Sequence, residues 1–124
     1  MARILFIDDD PAVLALASTV LTAKGHQTTL AIDGRAGMRA YRAEPFELVI
    51  TDLFMPVQDG IETIRQIRLI SNDTPILAIS GSYRGPEYLR AASALGANGA
   101  LEKPFSPEQL NEAVDRLLTA LAKA

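Results

Sequence analysis

Short apolar runs alternate with longer amphipathic segments along the whole chain. Each run is four or five residues long, which suits a strand that is buried on both faces of a sheet. The second run, Gln-Thr-Thr-Leu-Ala, is the most polar, so we expect it near a sheet edge. The five predicted strands are residues 4–7, 27–31, 47–51, 76–79 and 99–102.

Five helices are predicted to follow the strands, from capping residues and from apolar positions at helical spacing. Asp10 is a suitable N-cap for the first helix, Pro11 a suitable first residue and Gly25 a suitable stop. Ser106 and Gln109 form a capping-box pair at the start of the last helix. The predicted helices are residues 11–24, 34–42, 61–70, 85–96 and 107–121.

The strict alternation of strands and helices predicts the fold class. A strand, a crossover helix and a parallel strand form a unit that covers the sheet with helices on both faces. We therefore predict an α/β doubly wound parallel sheet, formed by the whole chain (residues 1–124) as one domain.

Composition and charge exclude several classes of function. The 124 residues include no cysteine and carry a formal net charge of −3. Without cysteine there is neither a disulfide framework nor a thiolate metal site. The negative charge argues against binding to a nucleic-acid backbone. Because no segment has the pattern of a signal peptide or a membrane span, we expect a soluble, cytoplasmic protein.

Charged side chains follow three of the predicted strands. Asp8 and Asp9 follow the first strand, Asp52 the third and Lys103 the fifth. The carboxyl ends of parallel strands meet at one edge of the sheet, where open α/β sheets bind ligands. Converging carboxylates repel one another unless one takes up a proton or a cation neutralises them. An all-oxygen site suits Mg²⁺ or Mn²⁺, and Lys103 offers a positive charge to a phosphoryl oxygen.

These residues and their neighbours resemble the receiver domain of two-component response regulators. Each motif alone is weak, but together they occur in the family's order and spacing over essentially the whole chain. The resemblance implies a flavodoxin-like (βα)5 sheet with strand order 2-1-3-4-5, in a stand-alone protein similar to chemotaxis regulators. The matching motifs are Asp8-Asp9, Asp52-Leu53-Phe54-Met55-Pro56, Asp59-Gly60, Ser80-Gly81 and Lys103-Pro104-Phe105.

The resemblance also implies a role for each residue of the site. Asp52 is the expected phosphoacceptor, and the bond between Lys103 and Pro104 is expected to be cis. The implied partners of the phosphoryl group are Lys103, Ser80 and the main-chain amides of Leu53 and Gly81. The implied ligands of the cation are Asp8 (mainly through water), Asp9, Asp52 and the main-chain carbonyl of Phe54.

The function implied by the resemblance is a phospho-accepting signalling switch. The expected phosphodonor is a sensor histidine kinase or a histidine phosphotransfer protein, and an unidentified downstream protein reads the signal. A phosphoryl group adds about 1.5 to 2 negative charges, which is expected to shift the face formed by the fourth helix, fifth strand and fifth helix. Phosphorylation-dependent homodimerisation is one expected outcome. We expect no contact with nucleic acid or membrane, and no enzymatic activity beyond self-directed phosphotransfer and autodephosphorylation.

Three positions are expected to modulate this switch. Ala100 stands where members of the family usually have an aromatic residue, so either the backbone carries the signal or the switch is weak. Tyr83 or Tyr88 is expected to fill part of the vacated space. Phe54 and Ser82 flank the path of water to the acyl phosphate, and the bulky Phe54 is expected to slow hydrolysis.

Other functions remain open at this stage. The intact acidic set favours a working switch, whereas Ala100 favours a degenerate receiver that acts as a constitutive protein-binding module. A phosphohydrolase would need a second aspartate two residues after Asp52, where this chain has Phe54. A flavin-binding protein would need a Ser/Thr/Gly-rich loop after the first strand, where this chain has acidic residues, so this class is excluded. We interpret Asp10 as a helix cap, Asp59 as a turn residue and His26 as a surface residue.

Overall fold

The computed structural model of the chain describes residues 1–55, 57–81 and 85–123, in which strands and helices alternate. The strands are β1 (Arg3–Ile7), β2 (Gln27–Ala31), β3 (Leu48–Asp52), β4 (Ile76–Ser80) and β5 (Gly99–Glu102). The helices are α1 (Pro11–Ala23), α2 (Gly34–Ala43), α3 (Gly60–Ile70), α4 (Gly85–Ala94) and α5 (Pro107–Lys123).

All five strands pair in parallel in one sheet, in the order β2-β1-β3-β4-β5. The predicted fold class and strand order are confirmed, and the polar strand β2 lies at an edge as expected. The predicted ends of β3 and β4 are one residue short, because Asp52 and Ser80 still pair with the neighbouring strand. A polar side chain at the last position of a strand does not interrupt the pairing of its backbone.

The core consists of two apolar layers, one on each face of the sheet. Ile4 and Phe6 of β1 face the layer covered by α1 and α5, and Leu5 and Ile7 face the layer covered by α2, α3 and α4. Alternate side chains of a strand point to opposite faces, so a strand covered on both faces must be apolar at every position. Among the described helices, none combines the length and the apolar composition needed to cross a membrane.

Side-chain caps fix the starts of the helices that flank the carboxyl edge. Asp10 Oδ1 accepts from an amide of the first turn of α1 at 2.9 Å, so its predicted role as a cap is confirmed. Asp59, interpreted as a turn residue, is the N-cap of α3, and its Oδ1 accepts a hydrogen bond of 2.9 Å from the N–H of Glu62. The predicted capping box is also confirmed, since Ser106 and Gln109 exchange hydrogen bonds of 2.8 and 3.0 Å.

The loop between β3 and α3 contains a residue in a strained backbone conformation. Val57 has a φ of 71°, in the left-handed region that a Cβ-branched side chain rarely adopts. The other described residues with positive φ are Gly25 and Gly96. The Val57 side chain is 70% exposed, so its burial offsets little of this strain.

We expect Val57→Gly to raise the free energy of unfolding by about 0.5–1 kcal/mol. Removing strain of about 1–3 kcal/mol should exceed the cost of about 0.5–1 kcal/mol for the greater freedom of glycine in the unfolded chain. Urea denaturation of both proteins measures the difference. Val57→Ala is the control, because it loses the same exposed methyl groups but keeps the Cβ atom. An equal gain in the alanine variant would exclude backbone strain as the cause.

His26 is half-buried, so its interpretation as a surface residue is wrong in part. Its Nδ1 accepts a hydrogen bond of 3.1 Å from the main-chain N–H of Ala2, just before β1. Burial lowers the pKa of His26, and the positive charge of the amino terminus acts in the same direction against Asp115 and Glu47. A neutral imidazole is therefore part of the folded state.

The lowered pKa of His26 predicts a pH dependence of stability. The unfolded chain binds a proton at this residue below a pKa of about 6.5, whereas the folded protein resists protonation. The free energy of unfolding should therefore fall as the pH drops from about 6.5 through the lower folded-state pKa. His26→Asn removes the titration and keeps an acceptor. Denaturant titrations between pH 7 and 5 should show a smaller loss in this variant than in the parent, and parallel curves would contradict the assignment.

Candidate functional site

The carboxyl edge of the sheet brings the predicted site residues together. Asp52 and Ser80 are the last residues of β3 and β4. Asp8 and Lys103 follow β1 and β5 directly, and their main-chain amides donate to the carbonyls of Ala31 (3.0 Å) and Ser80 (2.8 Å). The parallel hydrogen-bond ladder therefore fixes the backbone positions from which these side chains begin.

Three carboxylates converge at this edge. Asp8, Asp9 and Asp52 each have one carboxylate oxygen within 4.8 Å of the others. Asp8 is fully buried and Asp52 is 3% exposed, whereas Asp9 is exposed. The cluster is therefore closed on the side of Asp8 and open to solvent on the side of Asp9.

Lys103 lies between the two buried carboxylates. Its Nζ is 2.8 Å from Asp8 Oδ2 and 2.9 Å from Asp52 Oδ2. The ammonium group neutralises part of the negative charge that the fold gathers here. Removing one member of a buried ion pair usually costs several kcal/mol, because it leaves the other charge buried and uncompensated.

Burial and charge shift two ionisable groups of the site. Burial raises the pKa of Asp8 to about 6, and the charge of Asp52 adds to the rise, while Lys103 and the Asp10 amide oppose it. For Lys103, burial acts to lower the pKa, but the contacts with Asp8 and Asp52 outweigh it and raise the pKa. The ammonium form of Lys103 is thus strongly favoured between these carboxylates.

Main-chain amides hold the remaining oxygens of both buried aspartates. Asp52 Oδ1 accepts from the N–H of Phe54 at 3.1 Å, and Asp8 Oδ1 accepts from the N–H of Asp10 at 2.9 Å. Each buried carboxylate therefore has one oxygen on a backbone amide and the other on Lys103. This arrangement fixes the orientation of both carboxylates before any ligand binds.

One predicted phosphoryl donor is already engaged elsewhere. The N–H of Leu53 donates to the carbonyl of Ile79 at 2.9 Å, because it continues the ladder between β3 and β4. The amide that reaches the Asp52 carboxylate is that of Phe54. The expectation that Leu53 supplies a free amide is therefore corrected in favour of Phe54.

The bond between Lys103 and Pro104 is cis, as predicted.

Two buried oxygens of the described site lack a hydrogen-bond partner, and of these Asp8 Oδ2 is ion-paired with Lys103, which leaves the hydroxyl of Ser80. Ser80 is 2% exposed, and its Oγ has no hydrogen-bond partner among the described residues. A buried hydroxyl without a partner costs about 1–3 kcal/mol, so such groups often mark a ligand position. A Cβ added to the neighbouring Gly81 would meet no described atom within 4 Å, so the backbone is open to a ligand here.

A hollow lies beside Ala100 on the α4 side of the sheet. Ala100 is exposed and pairs with Ala78 across β4 and β5. The hollow has a volume of about 150 Å³ and is lined mainly by small side chains, among them Ala78, Ala92, Ala97 and Ala100. The vacated space expected from the missing aromatic side chain is therefore present. Ser82, Tyr83 and the side chain of Tyr88 lie outside the described residues.

A mainly apolar groove of about 500 Å³ adjoins the site and was not predicted. It lies between the first turns of α1 and the segment after β5. The sequence feature that could have indicated this groove is the pair Val13 and Leu16, which are apolar and three residues apart on a helix without charged residues. The lining residues are Asp10, Val13, Leu16, Gly81, Lys103, Pro104 and Phe105.

The donor set fits a hard divalent cation. Three carboxylates and a nearby main-chain carbonyl are oxygen ligands of the type that Mg²⁺ takes together with water. The exposed side of Asp9 leaves room for those waters. The unpaired hydroxyl of Ser80 and the ammonium of Lys103 add donors for a phosphoryl oxygen at the same edge.

Comparisons with known proteins agree with this geometry. Residues 4–115 match the model of the response regulator receiver domain. The chain is 36% identical to the probable chemotaxis protein CheY of Rhizobium etli, over 96% of this chain and 94% of that protein. It is 32% identical to the transcriptional regulatory protein GlrR of Escherichia coli, over 99% of this chain but only 28% of that protein. The structure of the Vibrio cholerae chemotaxis protein CheY4 superposes with a TM-score of 0.88 at 34% identity, covering 94% of this chain and 98% of that one.

The matched region contains every residue of the site described above. Receiver domains accept phosphoryl groups, regulate downstream effectors and generally bind Mg²⁺ at an acidic pocket. The cluster of Asp8, Asp9 and Asp52 is such a pocket. From the family match, the sheet order and this pocket, the chain belongs to the response regulator receiver domains of two-component systems.

Proposed function

We propose that this chain is a switch in which Asp52 takes a phosphoryl group from the phosphohistidine of a sensor kinase or phosphotransfer protein. The observation that carries the proposal is the setting of Asp52, with one oxygen on Lys103 and the other on the Phe54 amide. A carboxylate oxygen forms the bond to phosphorus as the P–N bond to the donor imidazole breaks. The imidazole keeps the electron pair and takes up a proton. We propose no catalysis beyond this transfer and the hydrolysis of the acyl phosphate.

Mg²⁺ or Mn²⁺ would be held by the acidic edge of the site. When bound, the cation supplies positive charge that offsets the charge on the transferring phosphoryl oxygens. The exposed Asp9 is the accessible direct ligand, whereas the buried Asp8, paired with Lys103, acts mainly through water. The proposed ligands are Asp8, Asp9, Asp52 and the main-chain carbonyl of Phe54.

Lys103 and Ser80 would hold the phosphoryl group after transfer. The Nζ of Lys103 lies 2.9 Å from Asp52 Oδ2, so it needs little movement to pair with a phosphoryl oxygen on that carboxylate. The Ser80 hydroxyl can donate to the same group without breaking a hydrogen bond to the described part of the chain. The amides of Phe54 and Gly81 are the further donors in this proposal.

The signal would be read on the face formed by α4, β5 and α5. The new negative charge draws Ser80 and Lys103 toward the phosphoryl group and favours one of two states of this face. A downstream protein that binds one state better then responds. A second candidate function, a constitutive binding module, is favoured by Ala100 and the hollow beside it. Spectra of the α4 face that do not change with beryllofluoride would support this second function.

Asp52→Asn is the direct test of the phosphoacceptor. Incubation of the parent with Mg²⁺ and a small phosphodonor should add one phosphoryl group to the intact mass. The asparagine variant should gain none, because its amide cannot form the acyl phosphate. Asp59→Asn is the matched control, since it neutralises an exposed carboxylate that caps α3 and keeps a capping side chain. A phosphoryl group on the Asp52 variant, or none on the parent, would contradict the proposal.

Phe54 is expected to lengthen the lifetime of the acyl phosphate. Its side chain is 48% exposed and adjoins the acceptor, so its bulk and apolar surface should hinder the approach of water. Phe54→Asn should therefore hydrolyse its acyl phosphate several times faster than the parent, as followed by the decay of the phosphorylated mass. Phe54→Leu, which remains apolar, should stay close to the parent. Slower or equal hydrolysis in the asparagine variant would exclude this role.

A further inference from the structure

The segment between Asp52 and α3 is hydrogen-bonded to the Asp52 carboxylate at its start and closes on the main chain of Leu53 at its end. At its start, the N–H of Phe54 donates to Asp52 Oδ1 at 3.1 Å. At its end, the N–H of Gly60 donates to the carbonyl of Leu53 at 3.1 Å. A Cβ atom on Gly60 would clash with the main chain of Asp52 and Leu53. The first turn of α3 is therefore pressed directly against the backbone that carries the acceptor.

A buried hydroxyl relay holds the same loop to α3. The side-chain amide of Gln58 donates to Thr63 Oγ1 at 3.0 Å, and that hydroxyl donates to the carbonyl of Asp59 at 3.0 Å. Thr63 is fully buried. Its one proton and one of its lone pairs are therefore both used on the loop, in an environment that water does not reach.

Helix α2 closes over this relay through a glycine. A Cβ atom on Gly34 would lie 2.7 Å from the carbonyl oxygen of Gln58, and closer still to the hydroxyl of Thr63. No side chain other than hydrogen fits at this position without moving the relay. The relay therefore joins three parts of the fold: the start of α2, the first turn of α3 and the loop beside the acceptor.

The segment before α3 contains a strained backbone conformation that its neighbours must stabilise. Val57, directly before Gln58, has the left-handed φ of 71°. Such a conformation persists only where surrounding contacts over-determine it. The side chain of the adjacent Gln58 opposes relaxation, since it donates to Thr63 at 3.0 Å and accepts a longer hydrogen bond from Gln66 at 3.5 Å.

We propose that Thr63 and Gln58 are positioning residues of the site. By fixing the loop, they keep the main chain of Phe54 where its amide holds Asp52 and where its carbonyl serves the divalent cation. This inference rests on the proposed function. Thr63 lies on the core face of α3 and does not belong to the carboxylate cluster. The inference nevertheless predicts that its hydroxyl affects the affinity of the site for the cation.

Thr63→Val tests the proposal, because it keeps the shape of the side chain and removes the hydroxyl. The variant should bind Mg²⁺ about three- to tenfold more weakly, the effect of losing one hydrogen bond, in a calorimetric titration. In the metal-free protein, the NMR signal of the Phe54 amide should also shift. Thr63→Ser keeps the hydroxyl and should restore both values. Gln58→Met, on a partly exposed side chain, should reproduce the loss without a change in the core.

Thr74→Val is the matched control for a loss of stability alone. The Thr74 hydroxyl bonds to Tyr41 at 2.7 Å beyond the opposite edge of the sheet, so its removal should leave Mg²⁺ affinity and the Phe54 signal unchanged. Equal affinity of the parent, Thr63→Val and Gln58→Met would overturn the positioning role and leave the proposed function intact. Equal weakening in Thr74→Val would overturn it too. A parent that shows no saturable Mg²⁺ binding would overturn both proposals.

Discussion

The position of Lys103 between Asp8 and Asp52 is the interaction on which the site depends. The fold gathers three carboxylates at one edge and buries two of them, which would be strongly unfavourable without a compensating cation. One ammonium within 2.9 Å of both buried carboxylates supplies that compensation from inside the chain. The site can therefore form before a metal binds. A cation that took Asp8 Oδ2 or Asp52 Oδ2 as a ligand would share an oxygen that Lys103 already contacts, and its binding would then be coupled to the position of this lysine.

The parallel sheet brings these distant residues together without any additional segment of chain. Asp8, Asp52 and Lys103 are far apart in sequence, but each comes within one residue of the end of a strand. The backbone ladder sets their relative heights, as in the amide of Lys103 that donates to Ser80. Apolar layers on both faces then hold the strands in place. The packing of the core therefore also determines the geometry of the site, because a shift in strand register would move the charged side chains apart.

Much of this arrangement could be predicted from the sequence because its signals are local. Asp10 and the Ser106–Gln109 pair mark helix starts through hydrogen bonds within one turn, and the apolar runs mark strands. The convergence of the charges follows from parallel topology alone. The unpredicted features depend on contacts between distant segments. Thr63 has the spacing of a core position on α3. Its hydroxyl is enclosed because Gly34, 29 residues earlier in the chain, packs against it and against Gln58.

The assignment of the amides shows the same limit at the scale of one residue. Leu53 and Phe54 both follow Asp52, but successive amides of a strand point to opposite sides. The N–H of Leu53 completes the pairing with β4, which leaves that of Phe54 for the Asp52 carboxylate. On the other side of β4, a methyl group at Ala100 is too short to fill the adjoining hollow of about 150 Å³. The described connection between Ser80 and the end of β5 is therefore the main-chain hydrogen bond from the Lys103 amide to the Ser80 carbonyl, and position 100 contributes no large side chain beside it.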